Sequence, residues 1–236
     1  MTRLNKFIAN AGICSWREAD KLIEDGMIEV NGKVVTEMGF KIKRGDHVKY
    51  AGHSLKGETH RYVLLNKPKD FITTSKDPQN RKTVMNLVEK ACRERIYPVG
   101  RLDRNTTGLL LFTNDGDMAK KLSHPSHGFK KIYHVFLDKN LKVPDMQKIV
   151  EGFELEDGLV KVDKIEYVSG ATKSEIGLEL HSGKNRIVRR IFEHLGYKVV
   201  KLDRVSFAGL TKKDLPRGRW RHLTEQEVNM LKMTIK

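Results

Sequence analysis

This sequence predicts an α+β fold: a small helical module followed by a larger domain built on a mainly antiparallel mixed sheet flanked by helices. Three observations predict it. Helix-period and strand-period segments are mixed without a strict βαβ rhythm, and several strand-like segments follow one another with no helix between them. A polar stretch without period, "AGHSLKGETH" (51–60), separates two regions of different character and reads as a linker. The expected division is residues 1–50, a linker at 51–60 and a second domain at 61–236.

The elements follow in chain order. Leu4, Phe7, Ile8 and Ala11 recur at helical spacing, and Gly12 stops the run where a C-cap glycine sits. "SWRE" (15–18) is a capping box with Ser15 as N-cap and Glu18 reaching back, and its helix carries Ala19, Leu22 and Ile23 inward until Gly26. "MIEVNGKVV" holds two short strands around Asn31-Gly32, a hairpin signal because both turn residues must take positive φ. "DHVKY" (46–50) adds a strand. In the larger part, strands are expected at 61–68, 108–114, 131–137, near 159–168 and 175–181, and at 198–205. Helices are expected at 83–91, 116–124, after Pro144 and at 185–196.

The chain has 236 residues, 39% hydrophobic and 32% charged, and a formal charge of +15. Such a charge attracts polyanions and makes nucleic acid the leading partner. Residues 1–60 hold 10 Lys+Arg against 8 Asp+Glu, and residues 61–236 hold 35 against 22, so the larger domain must itself face the polyanion. No apolar run approaches the ~20 residues that span a bilayer, and "MTRLNKFIANAGICSW" (1–16) lacks the continuous apolar core of a signal peptide, so a cytoplasmic protein without a membrane partner is expected. Cys14 and Cys92 are too few for a disulfide framework. The lack of an obvious exposed apolar patch points to a monomer.

Two motifs fail on inspection. "SGKNR" (182–186) lacks the glycine a phosphate loop requires, where Leu178 stands, and Asn185 replaces the Ser or Thr after Lys184. His124 and His127 flank Pro125 without a third ligand, so no metal site is expected. What remains is a constellation: "GRLDRNTTGLLLFTNDG" (100–116), "KKIYHV" with Tyr133, and "GKNRIVRRIFEHLG" (183–196). In the last, Ile187, Val188, Ile191, Phe192 and Leu195 form an inward stripe, leaving Arg186, Arg189, Arg190 and Glu193 toward the other side.

The first fifty residues resemble the alpha-L (S4-like) RNA-binding module, which presents basic side chains to RNA backbone; Arg3, Lys6, Arg17, Lys21 and Lys33 are the candidates. The three later segments resemble the signature motifs of RsuA-type ribosomal RNA pseudouridine synthases, whose aspartate motif reads here from Gly100 to Gly108 without departure. "DPQNRKTV" (77–84), "LEDG" (155–158) and "LPRGRW" (215–220) look most like the RluB-like branch that modifies large-subunit (23S) rRNA. The resemblance implies that Asp103 is the catalytic acid residue, Tyr133 the active-site tyrosine and Arg189 the basic partner of the aspartate. Relatives often carry Gln or Glu where this chain has Ile187, whose side chain has no polar group to offer at that site.

Pseudouridylation breaks the C1′–N1 bond, turns the base and joins C1′ to C5, with nothing oxidised or hydrolysed, so no cofactor is expected. The resemblance leaves open whether Asp103 attacks C1′ or C6 or removes the ribose 2′ proton. A guanidinium at hydrogen-bonding distance favours a carboxylate's charged form and fixes its orientation. The expectation is that Arg189 supplies it more closely than Arg101 or Arg104, which are left, with Lys184, Arg186 and Arg190, to hold RNA. The base must also be extruded from its stack at a cost of a few kcal/mol, and Tyr133 offers a flat face to receive it.

Overall fold

The structure, a computed structural model, describes residues 1–43, 45–56, 59–75, 77–124 and 128–234; His127 of the rejected metal pair lies outside them. The chain divides into two units, Met1–Arg61 with Asn114–Gly116, and Tyr62–Thr113 with Asp117–Lys236. Among the described residues no helix is long and apolar enough to cross a membrane.

The first unit runs β1 (Thr2–Arg3), α1 (Leu4–Asn10), α2 (Trp16–Glu24), β2 (Ile28–Val30), β3 (Lys33–Val34), β4 (Lys41–Ile42), β5 (Val48–Tyr50) and β6 (His53–Ser54). The capping box forms: the Ser15 N–H donates to Glu18 Oε2 at 2.7 Å and the Glu18 N–H to Ser15 Oγ at 3.3 Å. Asn31 and Gly32 take φ of +51° and +78° between β2 and β3. Leu4, Ile8, Ala19, Ile23, Ile28, Val30, Ile42 and Val48 close the core. The expected linker is corrected at its start. Ala51 and Gly52, with φ of +48° and +78°, turn the chain so that β6 pairs with β5.

The second unit contains β7 (Tyr62–Lys67), α3 (Val84–Val88), β8 (Tyr97–Pro98), β9 (Thr107–Thr113), α4 (Gly116–Ser123), β10 (Lys131–Leu137), α5 (Val143–Glu151), β11 (Phe153–Leu155), β12 (Gly158–Val160), β13 (Lys164–Tyr167), β14 (Glu175–Leu180), α6 (Ile187–His194), β15 (Val199–Phe207), β16 (Leu210–Thr211), β17 (Trp220–His222) and α7 (Glu225–Thr234). Its sheet runs in the order β13-β14-β10-β15-β9-β7-β17, with β16 beside β15 and β8 beside β9. The β9–β15 seam is parallel and the other pairs of named strands in this sheet are antiparallel, so the α+β expectation holds.

Alternation along the central strands separates two cores. Val63, Leu65, Leu110 and Phe112 face one, completed by Ile187, Val188, Ile191 and Phe192 of α6. Tyr62, Leu64, Leu109 and Leu111 face the other, with Met118 and Leu122 of α4 and Leu231 of α7. Each such side chain contributes ~1.5–3 kcal/mol relative to exposure, and this anchors the loop that precedes β9.

Candidate active site

Asp103 sits on the loop between β8 and β9, and the loop's shape is set by bonds to its own backbone. Lys67, the last residue of β7, is fully buried, and its ammonium donates to the carbonyl oxygens of Thr106 (2.8 Å), Asp103 (3.1 Å), Pro68 (3.1 Å) and Arg104 (3.3 Å). Burial brings this amine down to about 8, while Asp103 and Asp70 oppose the shift. The Thr106 N–H closes a turn onto the same Asp103 carbonyl at 3.0 Å. One residue earlier, the Thr73 hydroxyl donates to the Leu102 carbonyl at 2.7 Å and accepts from its N–H at 3.2 Å.

The motif's last glycine has a reason that lies in the partner strand. At Gly108, φ is +104° and a Cβ would stand 2.2 Å from the Arg204 carbonyl oxygen and 2.5 Å from its nitrogen. Any side chain there would force β15 away from β9. At the same seam Asp203, buried, accepts from the Thr107 hydroxyl at 2.7 Å, from Arg217 at 2.8 Å and from Lys212. Burial pushes this carboxyl up, but the bonds from Arg217, Lys212 and Thr107 outweigh it and hold it at about 2. Arg217 also donates to Asn66 Oδ1 at 2.6 Å, so "LPRGRW" ties β7 to β15.

A cleft of about 160 Å³ opens where the Asp103 loop, the start of β10, the N-terminus of α6 and the end of β15 meet. Asp103, Tyr133, Arg186 and Arg189 all line it, together with Arg101, Lys131, Lys184 and Arg204; Leu102, Ile187, Val188, Leu202 and Phe207 supply apolar wall. Tyr133 is buried in β10, opposite Leu178 on one side and Arg204 on the other. Lys131 donates to the carbonyls of His181 (2.9 Å) and Ser182 (3.2 Å), and burial, then the charge of Arg204, brings it down to about 8.

The pairing expected for Asp103 is corrected. Its ion pair is with Arg186, at 3.7 Å from Nη1, while Arg189 donates to the Val199 carbonyl at 2.9 Å. The carbonyl that opens β15 captures the Arg189 guanidinium, whereas Arg186 precedes the helix in a left-handed conformation, φ +49°, and bridges Asp103 to Glu193 at 3.8 Å. Arg189 still feels the carboxylate: burial and the Arg186 charge lower its pKa and Asp103 raises it.

Two cations expected to hold RNA are engaged within the protein. Lys184 donates to the carbonyls of Asp157, Gly158 and Leu159 at 2.8–3.2 Å, and Arg190 pairs with Asp157, with Nη1 at 2.9 Å from Oδ2. "LEDG" is therefore the β11–β12 turn that absorbs them. Arg101 is exposed, and Arg104 is exposed with a 3.3 Å contact to Asp70. In the first unit Arg3, Arg17, Lys21 and Lys33 are exposed and form no ion pair among the described residues, and Lys6 is half-buried.

Sequence reasoning missed Lys67, Thr106, Lys131 and Arg204 as site residues. Thr106 and Lys131 lie within the quoted motifs, and Lys67 carried a signal of its own: a charge ending a mostly apolar strand.

The cleft can take a flat ring between apolar walls beside one carboxylate and several cations. A family profile described as RNA pseudouridylate synthase matches residues 61–194, and an S4 domain profile matches residues 2–48. "Ribosomal large subunit pseudouridine synthase B" of Bacillus subtilis (strain 168) is 42% identical over 236 residues, covering 98% of this chain and 96% of the relative. "Dual-specificity RNA pseudouridine synthase RluF" of Escherichia coli (strain K12) is 34% identical, covering 96% and 77%. A solved pseudouridylate synthase superimposes with a TM-score of 0.70 at 28% identity, covering 98% of this chain and 100% of that one. With a catalytic-domain profile over more than half its length and relatives matched almost end to end, the chain belongs to the RNA pseudouridylate synthase family and carries an S4 domain ahead of that domain.

Proposed function

We propose that this chain converts a specific uridine of large-subunit (23S) ribosomal RNA to pseudouridine, with Asp103 as the essential carboxylate. The observation that carries the reading is the meeting of Asp103, Tyr133, Arg186 and Arg189 in one basic cleft. The large-subunit assignment is supported by the name of the Bacillus subtilis relative and by the segments at 77–84, 155–158 and 215–220.

In this reading the extruded uracil lies against Tyr133 while Asp103 acts at C1′, at C6 or on the 2′ proton. The C1′–N1 bond breaks, the ring turns, C5 bonds to C1′ and the C5 proton moves to N1 through a group in the cleft. Arg189, assigned as the basic partner of the carboxylate, acts electrostatically from its Val199 anchor, and Arg186 supplies the direct ion pair. Arg101, Arg104 and the free cations of the first unit take phosphates, which position the RNA without reading its sequence.

Pseudouridine mapping of all cellular RNA from cells lacking this protein, repeated after restoring wild type or Asp103→Asn, tests the reading. One large-subunit position should vanish and return only with wild type. A lost position in small-subunit rRNA would move the target, and an active Asp103→Asn variant would remove Asp103 from the mechanism.

A further inference from the structure

Two buried side-chain atoms among the described residues have no hydrogen-bond partner, Arg204 Nη2 and Thr106 Oγ1, and both residues line the cleft that holds Asp103. Arg204 is 3% exposed and Thr106 2%. A buried polar group left unpaired loses its hydration without compensation, the more so when it is charged, so two in one cleft call for a partner that arrives with the substrate.

The arginine is otherwise held rigidly. Its Nε donates to the Leu109 carbonyl at 2.8 Å, its guanidinium carbon lies 4.7 Å from the Phe207 ring centre, and Tyr133 stands opposite it in register. No carboxylate neutralises it among the described residues, since Asp103 pairs with Arg186 and Asp203 with Arg217 and Lys212. A second cation, Lys131, shares the cleft. The exposed arginines at 101 and 104 are open to phosphates. A buried guanidinium with an unpaired Nη2, beside aromatic and aliphatic wall, fits the ring instead.

We propose that Arg204, with Thr106 beside it, binds a carbonyl oxygen of the extruded pyrimidine and stabilises the negative charge the ring acquires when its bond to the ribose is broken. This rests on the pseudouridine synthase reading. When C1′–N1 breaks, the bonding pair leaves with the ring, whose charge spreads over N1, O2 and O4. If Asp103 adds at C6 first, the electron pair of the C5–C6 double bond moves to the C4 carbonyl oxygen. When C5 then bonds to C1′, any bond Asp103 has made to C1′ or C6 breaks with its electron pair returning to the carboxylate, the ring charge is taken up in the new C–C bond, and the proton released from C5 ends on N1. On every route charge accumulates on the ring oxygens and is gone in the product, so a preorganised donor there favours the transition state over the ground state.

Single-turnover rates and RNA affinities of wild type, Arg204→Met, Arg204→Lys and Thr106→Val test this on RNA carrying uridine or 5-fluorouridine at the target, followed by loss of the original nucleoside. Arg204→Met should slow uridine turnover ~100-fold or more, in line with removal of one preorganised donor, while affinity changes less than about threefold. Arg204→Lys should recover part of the rate, and Thr106→Val should cost roughly tenfold. Fluorine withdraws electrons and stabilises the ring anion, so the Arg204→Met deficit should shrink about tenfold or more on 5-fluorouridine. An equal deficit on both substrates, or a rate loss matched by lost affinity, overturns the inference. If Arg204→Met does not fold, Arg204→Lys decides by the same substrate ratio. A wild type that forms no pseudouridine overturns the underlying reading, whereas an active wild type with an unaffected Arg204→Met overturns only this inference.

Discussion

Asp103, on the loop that leads into β9, and Asp203, on β15 across the seam, both meet cations, and they could hardly be treated more differently. Asp203 has a side chain 10% exposed, receives three donors and is held at about 2. Asp103 is 33% exposed and has one ion pair, at the loose distance of 3.7 Å. A carboxylate that holds a fold together has its lone pairs filled by the protein. One that serves a substrate keeps lone pairs unfilled and lets the protein fix its backbone instead, as Lys67 does through three carbonyls of the loop.

The comparison breaks most readily at Asp103 itself. Asp103→Asn should abolish pseudouridine formation, a loss of roughly 10³-fold or more, while unfolding free energy stays within about 0.5 kcal/mol, as for substitutions away from structural networks. Equal damage to stability would make Asp103 a second Asp203. Conversely, Asp203→Asn should cost roughly 2–4 kcal/mol in a denaturant titration, because it strands Arg217 and Lys212, yet leave turnover per folded molecule close to wild type.

A pH titration sharpens the same contrast. The folded pKa of Asp203 is depressed below its unfolded value near 3.8, so its contribution, about 2 kcal/mol, is fully present above pH 4 and lost as pH falls from 4 toward 2. Asp203→Asn should remove that part of the acid destabilisation. On the alkaline side, Lys67 and Lys131, both lowered to about 8 chiefly by burial, lose charge as pH rises through that value. RNA affinity should therefore fall with a midpoint near 8, and Lys131→Met should remove part of the fall.

The smallest expected effects sort the arginines. Arg186→Met, which removes the direct ion pair, should lower turnover most, Arg189→Met, which removes a charge felt at longer range, less, and Arg104→Met should mainly weaken RNA binding and reduce its salt slope by roughly one. Equal losses from all three would mean that none of them serves Asp103 in particular.

Much of the fold was legible because its signals are local. The Ser15 capping box, the Asn31-Gly32 hairpin and the inward stripe of α6 depend on residues a few positions apart, and each appears in the structure at the expected place. The strand β6 inside the expected linker, the β11–β12 hairpin and the terminal β17 and α7 were not anticipated, since short or weakly periodic segments acquire structure from the sheet they join. The charged residues divided the same way. That 183–190 is basic was plain, but whether Lys184 and Arg190 face RNA or cap the turn at 157–159 depends on a hairpin that lies about thirty residues away in sequence.

By itself, then, the chain's order of residues determined the α+β class, the basic character of the larger domain, and the identity of three motifs whose spacing is local. Only the tertiary structure decided which cation meets Asp103, why position 108 admits no side chain, and that Lys67 and Arg204 belong to the site. Those are contacts across 36 to 96 positions of sequence, fixed by the β7–β9 and β9–β15 pairings, and no periodicity within a segment encodes the distance to a partner on another strand.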